Sequence, residues 1–386
     1  MTTVIVSGAV ANKHRHGGSI WVRMSWAEAL RDAGFQVVFV EQIAAAACVD
    51  AAGAPVALED SANLAVFQDT MQRFGFAGSS ALICPDGPRV HGMDAQALLA
   101  HADDAELLVN IGGHLRWAPL LERLRGRRAF VDLDPGFTQI WHAEGRDVGV
   151  DGHDVHLTVG TNVGGRGCPL PTGGLRWRPI RQPVALHRWP WADGDAPSRF
   201  TTVASWRGAY GPATWAGRTY GVKAHQFRRF ADLPRELDAR FEVALEIHPG
   251  DAADEHRLRE GGWAVVDPAL VAGTDDFRAY VQGSTAEFSP AQGIYVESAS
   301  GWFSDRTVRY LASGRPALVQ DTGLDAGLPV GEGLLTFRTR DEAAAGARAI
   351  GADYARHRAA ARRIAEEHFA GPRAIAPLLE ATGVAP

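Results

Sequence analysis

The stretch Ser300-Gly301-Trp302-Phe303-Ser304-Asp305-Arg306-Thr307 carries the side chains best suited to grip an anion. Gly301 permits a tight turn, and Ser304 is a natural N-cap for a helix running on toward Ser313. The free amides at that helix start, its positive dipole end and the Arg306 guanidinium together form an anion site. Gly314 closes the helix, and Pro316 opens a strand that ends at Gln320-Asp321-Thr322-Gly323. Gln320 and Asp321 would then lie beside whatever the bound phosphate carries. Three other places can move protons. His14 and His16 stand just before Gly17-Gly18, and His114 closes Ile111-Gly112-Gly113. Asp134 follows Asp132 at the end of Ala129-Phe130-Val131, with His142 beyond it. Histidine titrates nearest neutrality, which suits a general base acting on a hydroxyl.

Metal and nucleotide-cofactor chemistry find less support. Asp132-x-Asp134 closes a strand and reads as a turn. His153 and His156 straddle a strand start, so their side chains should point to opposite faces. No metal site and no cofactor are expected. Gly-x-Gly-x-x-Gly after a strand and Gly-x-x-x-x-Gly-Lys are both missing, against NAD and P-loop chemistry. Cys48, Cys84 and Cys168 are odd in number and far apart. They make neither a disulfide framework nor a zinc quartet, and they fit a reducing cytoplasm.

These residues need a scaffold, and the chain supplies one. Short apolar runs alternate with helical patterns: Val4 to Ser7, Val37 to Val40, Ala81 to Cys84, Leu107 to Asn110 and Ala129 to Asp132 are strands. Helices are expected over Ile20 to Ala33, Asn63 to Phe74, Asp94 to Ala102 and Leu115 to Leu124. Near-continuous apolar strands between helices mean a parallel sheet covered on both faces. From Gly164 to Ser198 the pattern lapses into Pro, Gly and Trp, the composition of a hinge. Alternation then resumes through Phe200 to Ala204, Glu242 to Ile247, Trp263 to Val266, Ala286 to Ser289 and Ala317 to Gln320. A long Ala/Arg-rich helical region covers Ala343 to Phe369. The expected layout is domain one at 1–183, a hinge at 184–195, domain two at 196–366, and a segment 367–386 that crosses back. Ligands in such sheets sit at the carboxyl ends of the strands, here facing a cleft between domains.

At 386 residues, 46% hydrophobic and 22% charged, each domain has an ordinary core to bury. The net charge of −6, with no Lys/Arg block, argues against a nucleic-acid or membrane partner. No stretch approaches 18 apolar residues and the start lacks a secretory pattern, so a soluble cytoplasmic protein is expected.

The second half resembles that of two-domain nucleotide-sugar glycosyltransferases of the GT-B fold. The resemblance rests on Val265-Val266-Asp267-Pro268, Gln282-Gly283-Ser284, the Gly301 loop and Ala312-Ser313-Gly314-Arg315-Pro316 in order. With Gly17-Gly18-Ser19-Ile20-Trp21, Val131 to Gly136 and Gln320 to Gly323, the wider chain is similar to glycosyltransferase-like proteins frequent in actinobacteria. The resemblance implies two Rossmann-like α/β domains facing a central cleft. It implies that Gly301, Ser304 and Arg306 hold a donor diphosphate, with Gln320 and Asp321 on sugar hydroxyls and Asp305 available to the ribose. Arg207 and Lys223 would neutralise the departing diphosphate, and His248 would line the nucleotide pocket. It places an acceptor base on the loop after the first strand, where His16 is preferred, with His114 and Asp134 as alternatives.

Retaining members of one GT-B group carry two glutamates eight positions apart around this loop. Gly301 and Arg309 stand there instead, and Glu287 and Glu297 have another spacing, so inversion is favoured. The implied activity is metal-independent transfer from a UDP-, TDP- or GDP-sugar to a small-molecule acceptor in antibiotic-type specialised metabolism. The resemblance leaves room for a homodimer. Two rivals are a nucleotide-sugar epimerase and a non-catalytic nucleotide-sugar-binding protein. The crowded Trp177, Trp189 and Trp191 suit either sugar stacking or hinge packing.

Overall fold

Each half of the chain winds apolar strands and helices into a sheet of its own, and the two sheets turn their strand ends toward each other. A computed structural model describes residues 1–85, 89–192 and 198–386. The first sheet holds β1 (Thr3–Ser7), β2 (Gln36–Gln42), β3 (Ser80–Cys84), β4 (Arg89–Gly92), β5 (Ala105–Ile111), β6 (Arg127–Asp132), β7 (Val155–Thr158) and β8 (Trp177–Pro179). Their order is β4-β3-β2-β1-β5-β6-β7-β8, parallel except for edge strand β4. The strand β8 lies inside the stretch whose composition reads as a hinge, because its Pro and Gly neighbours mask a three-residue run. The 184–195 hinge falls partly outside the described residues.

A small hairpin pairs β10 (Ala213–Trp215) with β11 (Arg218–Tyr220). The second sheet contains β9 (Arg199–Ser205), β12 (Arg240–Glu246), β13 (Trp263–Val266), β14 (Ala286–Ser289), β15 (Ala317–Gln320) and β16 (Leu334–Phe337). Its order, β13-β12-β9-β14-β15-β16, is parallel throughout. Stacked pairs Phe200–Phe241 and Phe288–Phe337 fill its core, with ring centroids 5.0 and 4.9 Å apart. The helical region expected over 343–369 consists of two helices, Arg340–Ala352 and Tyr354–His368. Asp353 breaks it at φ −141°, where its carboxylate accepts from the Arg356 amide and caps the second helix. The last helix, Gly371–Thr382, packs Gly371 against Ala29 of the first domain. Among the described residues no helix is long and apolar enough to cross a membrane.

The domains meet along helix Gly17–Asp32 and helix Thr274–Gln282. Trp21 donates its indole N–H to the Thr274 carbonyl at 2.9 Å. Buried Trp189 packs edge-on against Trp21 and Phe277, and a Cβ on Gly314 would strike Trp191. Hinge packing therefore accounts for these two tryptophans, while Trp177 belongs to β8. A Cβ on Gly17 would come within 2.3 Å of the Gly273 carbonyl oxygen. Gly17→Ala raises intrinsic helix propensity by about 1 kcal/mol, yet we expect a lower melting temperature. The overpacked backbone contact should cost about 1–3 kcal/mol. A raised melting temperature would show that the domains do not hold this contact in solution.

Candidate functional site

The carboxyl ends of β9, β12 and β13 open on a cleft of about 700 Å³ between the domains. Val203, Ala204, Ser205, Glu246 and the loop Asp267 to Ala272 form one wall. His16, Gly17, Gly18 and Ser19, the amino-terminal end of the 16-residue helix Gly17–Asp32, form the other. Lys223, Asp305 and Arg306 stand between them.

Arg306 is fixed on all sides. Its Nε donates to Glu287 at 2.6 Å, Nη1 to the Val203 carbonyl and Nη2 to Ser289, both at 2.7 Å. Glu287 is fully buried, so this charge is compensated before any ligand arrives. Removing the arginine would strand that carboxylate. Arg306→Ala should therefore cost about 3–5 kcal/mol of stability, readable by denaturant titration. Lys223 differs. It starts the helix Lys223–Phe227, and among the described residues its ammonium has no hydrogen-bond or ion-pair partner. Burial, with Arg306 adding to it, lowers its pKa to about 7, against the opposing pull of Glu287 and Asp305.

Several sequence expectations need correction. Gly301 adopts φ +73°, but its missing Cβ makes room for Thr161 and Asn162 of the first domain. Its amide donates to the Thr322 carbonyl at 2.7 Å, so the loop is a domain seam and does not face the cleft. Ser304 occupies the N-cap position without a side-chain cap bond and is buried. Gln320 is consumed by the Ala291 amide and Gln226, and Asp321 by the Gly323 amide and Arg338. Neither lines the cleft. Arg207 turns outward into a bidentate pair with Asp251, at 2.7 and 2.8 Å, leaving Lys223 as its supposed partner in the cleft. His248 caps the Gly250 amide, and Glu246 lines the cleft in its place. His153 and His156 converge on a single carbonyl, that of Val150, at 3.0 Å each, rather than pointing apart.

The proton-moving candidates separate into two places. His16 lines the larger cleft, where its surroundings and Lys13 lower its pKa despite Glu246. His14 instead meets Asn63 at 3.2 Å. His114 and Asp134 share a second, smaller pocket of about 260 Å³ at the ends of β5 and β6, with Thr138, Trp141 and Tyr210. Tyr210 belongs to the second domain, yet it lies on Trp141 and Phe137 at 4.8 and 5.0 Å, roofing the pocket. His114 is open to the pocket, but the surrounding walls, then Arg23, Lys13 and Arg116, hold it well below the usual histidine value. Asp132 is saturated: it accepts from Thr138, Gln139, Thr158 and the Asp134 amide. Asp134 is not saturated. Tyr295 of the second domain donates to one of its oxygens at 3.3 Å, and burial, with Asp132 adding to it, raises its pKa to about 6.

Sequence reasoning missed Glu41, Arg23, Glu246 and Tyr210. Glu41 is the penultimate residue of β2, and its carboxylate accepts the amides of Val10, Ala11 and Asn12 at 2.7–2.8 Å, which shapes the loop carrying His16. Its signal was an acid closing an apolar run. Arg23 signals itself as a charge four residues before Ala27 on the buried face of its helix.

Two α/β domains with a cleft between their strand ends are the arrangement of the GT-B fold, and solved glycosyltransferase structures match it over the length of the chain. An alpha-glucosyltransferase in complex with UDP aligns at TM-score 0.58 and 10% identity, covering 100% of both chains. Sucrose-phosphate synthase from Thermosynechococcus elongatus aligns at 0.54 and 12%, over 96% of this chain and 95% of its own. AviGT4, a glycosyltransferase involved in Avilamycin A biosynthesis, aligns at 0.51 and 14%, over 99% and 97%. No protein-family model matches the sequence, and no curated protein does. One expectation is overturned. The alpha-glucosyltransferase has also been solved with UDP-glucose and DNA, at TM-score 0.59, 10% identity and 98% of both chains. Net charge is thus no ground for excluding a nucleic-acid partner in this fold: it averages over the whole surface, whereas a substrate meets one face.

Proposed function

We propose that the protein transfers a sugar from a nucleoside diphosphate to an acceptor hydroxyl. The observation that carries this reading is the pairing of unpartnered Lys223 and braced Arg306 across one cleft from the start of helix Gly17–Asp32. A departing diphosphate develops negative charge, and basic side chains positioned in the cleft stabilise it. A helix start adds amide donors and a positive dipole end. The apolar side of the cleft, Pro268, Ala269, Val271, Ala272 and Phe277, suits the flat nucleobase. Uridine is the base to test first, since the alpha-glucosyltransferase was solved with UDP.

The acceptor would enter the pocket under Tyr210, with its hydroxyl at Asp134. A carboxylate of pKa about 6 is ionised at neutral pH and matched to receiving a proton. We therefore assign the general base to Asp134 in place of His16. A base on the acceptor side favours an inverting displacement. The reading of specialised metabolism leans on AviGT4, whose printed role is in Avilamycin A biosynthesis.

Calorimetry with UDP, TDP, GDP and UMP tests the donor site. Each charge-assisted bond to the second phosphate should contribute about 1.5–3 kcal/mol. Equal affinity for UDP and UMP would overturn the assignment. Turnover is then scored against an acceptor panel of hydroxylated small molecules and duplex DNA. It should survive EDTA, because side chains take the leaving-group charge. Arg207→Ala should leave UDP affinity unchanged, as its guanidinium is spent on Asp251.

A further inference from the structure

Arg23 is a buried cation that the proposed reaction does not yet explain. It lies on helix Gly17–Asp32 with only 9% of its surface exposed, its stem against Gly8. Its Nη1 donates to the Ser19 carbonyl at 3.3 Å, and its Nε is sealed from solvent without a partner. Among the described residues it forms no ion pair, and Nη2 has no hydrogen-bond partner. Arg23 is within electrostatic reach of both pockets. Ser19 lines the donor cleft, and the charges acting on Arg23 come from Asp305 in that cleft, from Asp134 and Tyr210 in the smaller pocket, and from Glu41. Lys13 is a second unpaired cation nearby, and it acts with Arg23 on both His114 and Asp134.

Burying a guanidinium without a bonded anion is costly, and a well-packed apolar residue of similar size is commonly more stable there. The surrounding carboxylates stay beyond ion-pair distance. A guanidinium whose Nη2 is unpaired, and whose Nη1 is bonded to the carbonyl of a residue lining the cleft, suits a charge-assisted contact with a carboxylate or phosphate. The leaving diphosphate already has Lys223 and Arg306.

We infer that Arg23 receives an additional anionic group, a carboxylate or phosphate, which a reactant brings to the junction of donor cleft and acceptor pocket. This rests on the proposed reading for the names of the two pockets. The group arrives either on the transferred sugar, as a uronate, or on the acceptor, as a phosphate ester.

The test titrates the full-length protein with matched pairs. UDP-glucose against UDP-glucuronate reads the donor source. Glucose against glucose 6-phosphate, with and without UDP, reads the acceptor source. The anionic member of one pair should bind about ten- to a hundredfold tighter, the worth of a charge-assisted contact. Arg23→Met should abolish that ratio while the melting temperature holds or rises, which a merely structural arginine would not do. Arg23→Lys, keeping charge without the fork, should restore part of it. If Arg23→Met melts early, the lysine variant decides: a reduced ratio supports the role, an unchanged ratio overturns it. Equal binding within both pairs in the wild type, or a full ratio in Arg23→Met, also overturns it. UDP alone, titrated in parallel, judges the proposed function separately. Its failure to bind would sink that function, whereas the glucose pair without UDP would still judge Arg23.

Discussion

Asp134→Asn is expected to lower the rate of sugar transfer about 10²–10⁴-fold, the usual worth of a positioned base. Nucleotide affinity should stay nearly unchanged, because Asp134 belongs to the pocket under Tyr210 and not to the donor cleft. The pH profile gives the sign. With its pKa raised to about 6, the carboxyl is protonated below that pH and cannot accept a proton. The wild-type rate should therefore fall as pH drops through about 6, and this limb should vanish in the variant. His16→Ala should transfer sugar at close to the wild-type rate. If His16→Ala loses the limb while Asp134→Asn keeps it, the base lies in the donor cleft and our assignment fails. If neither change affects turnover, proton removal uses another group.

Lys223→Ala should weaken UDP binding by about 1.5–3 kcal/mol, roughly ten- to a hundredfold, while UMP affinity changes far less. Lysine is the cleaner probe of the two cleft cations. Arg306 carries Glu287, so its removal mixes binding loss with instability, whereas Lys223 has no partner among the described residues to strand. Its lowered pKa, about 7, adds a second readout. Above pH 7 the free protein holds this amine largely neutral. An incoming diphosphate favours the charged form, so binding at pH 8 should take up close to one proton. UDP affinity should accordingly rise as pH falls from 9 toward 7. Calorimetry in buffers of different ionisation enthalpy reads the proton directly. Wild-type binding without proton uptake at pH 8, or an unaltered uptake in Lys223→Ala, would remove Lys223 from the phosphate site.

The alternation of apolar runs with helical patterns fixed the two-sheet architecture from sequence, since a strand buried on both faces must be apolar throughout. Strand carboxyl ends and their loops follow from that alternation, whereas Arg306 was singled out by the helix-start anion site and Lys223 and Asp305 by the resemblance to GT-B enzymes. Local geometry was less legible. Gly301 needs its positive φ whether it cradles a phosphate or admits Thr161, and the same glycine signal serves both. Arg207 and Lys223 are alike as isolated basic residues. Only the chain fold brings Asp251 to one and leaves the other unpaired. Gln320 and Asp321 end a strand facing the right way, yet partners 94 and 17 residues distant in sequence, Gln226 and Arg338, occupy them. Asp132 and Asp134 sit two residues apart and take opposite roles, because Gln139 and Thr158 saturate the first and leave the second to titrate. The sequence determined which residue types stand at which strand ends. Tertiary packing decided which of their hydrogen bonds were already made, and a side chain spent on protein partners has little left for a substrate.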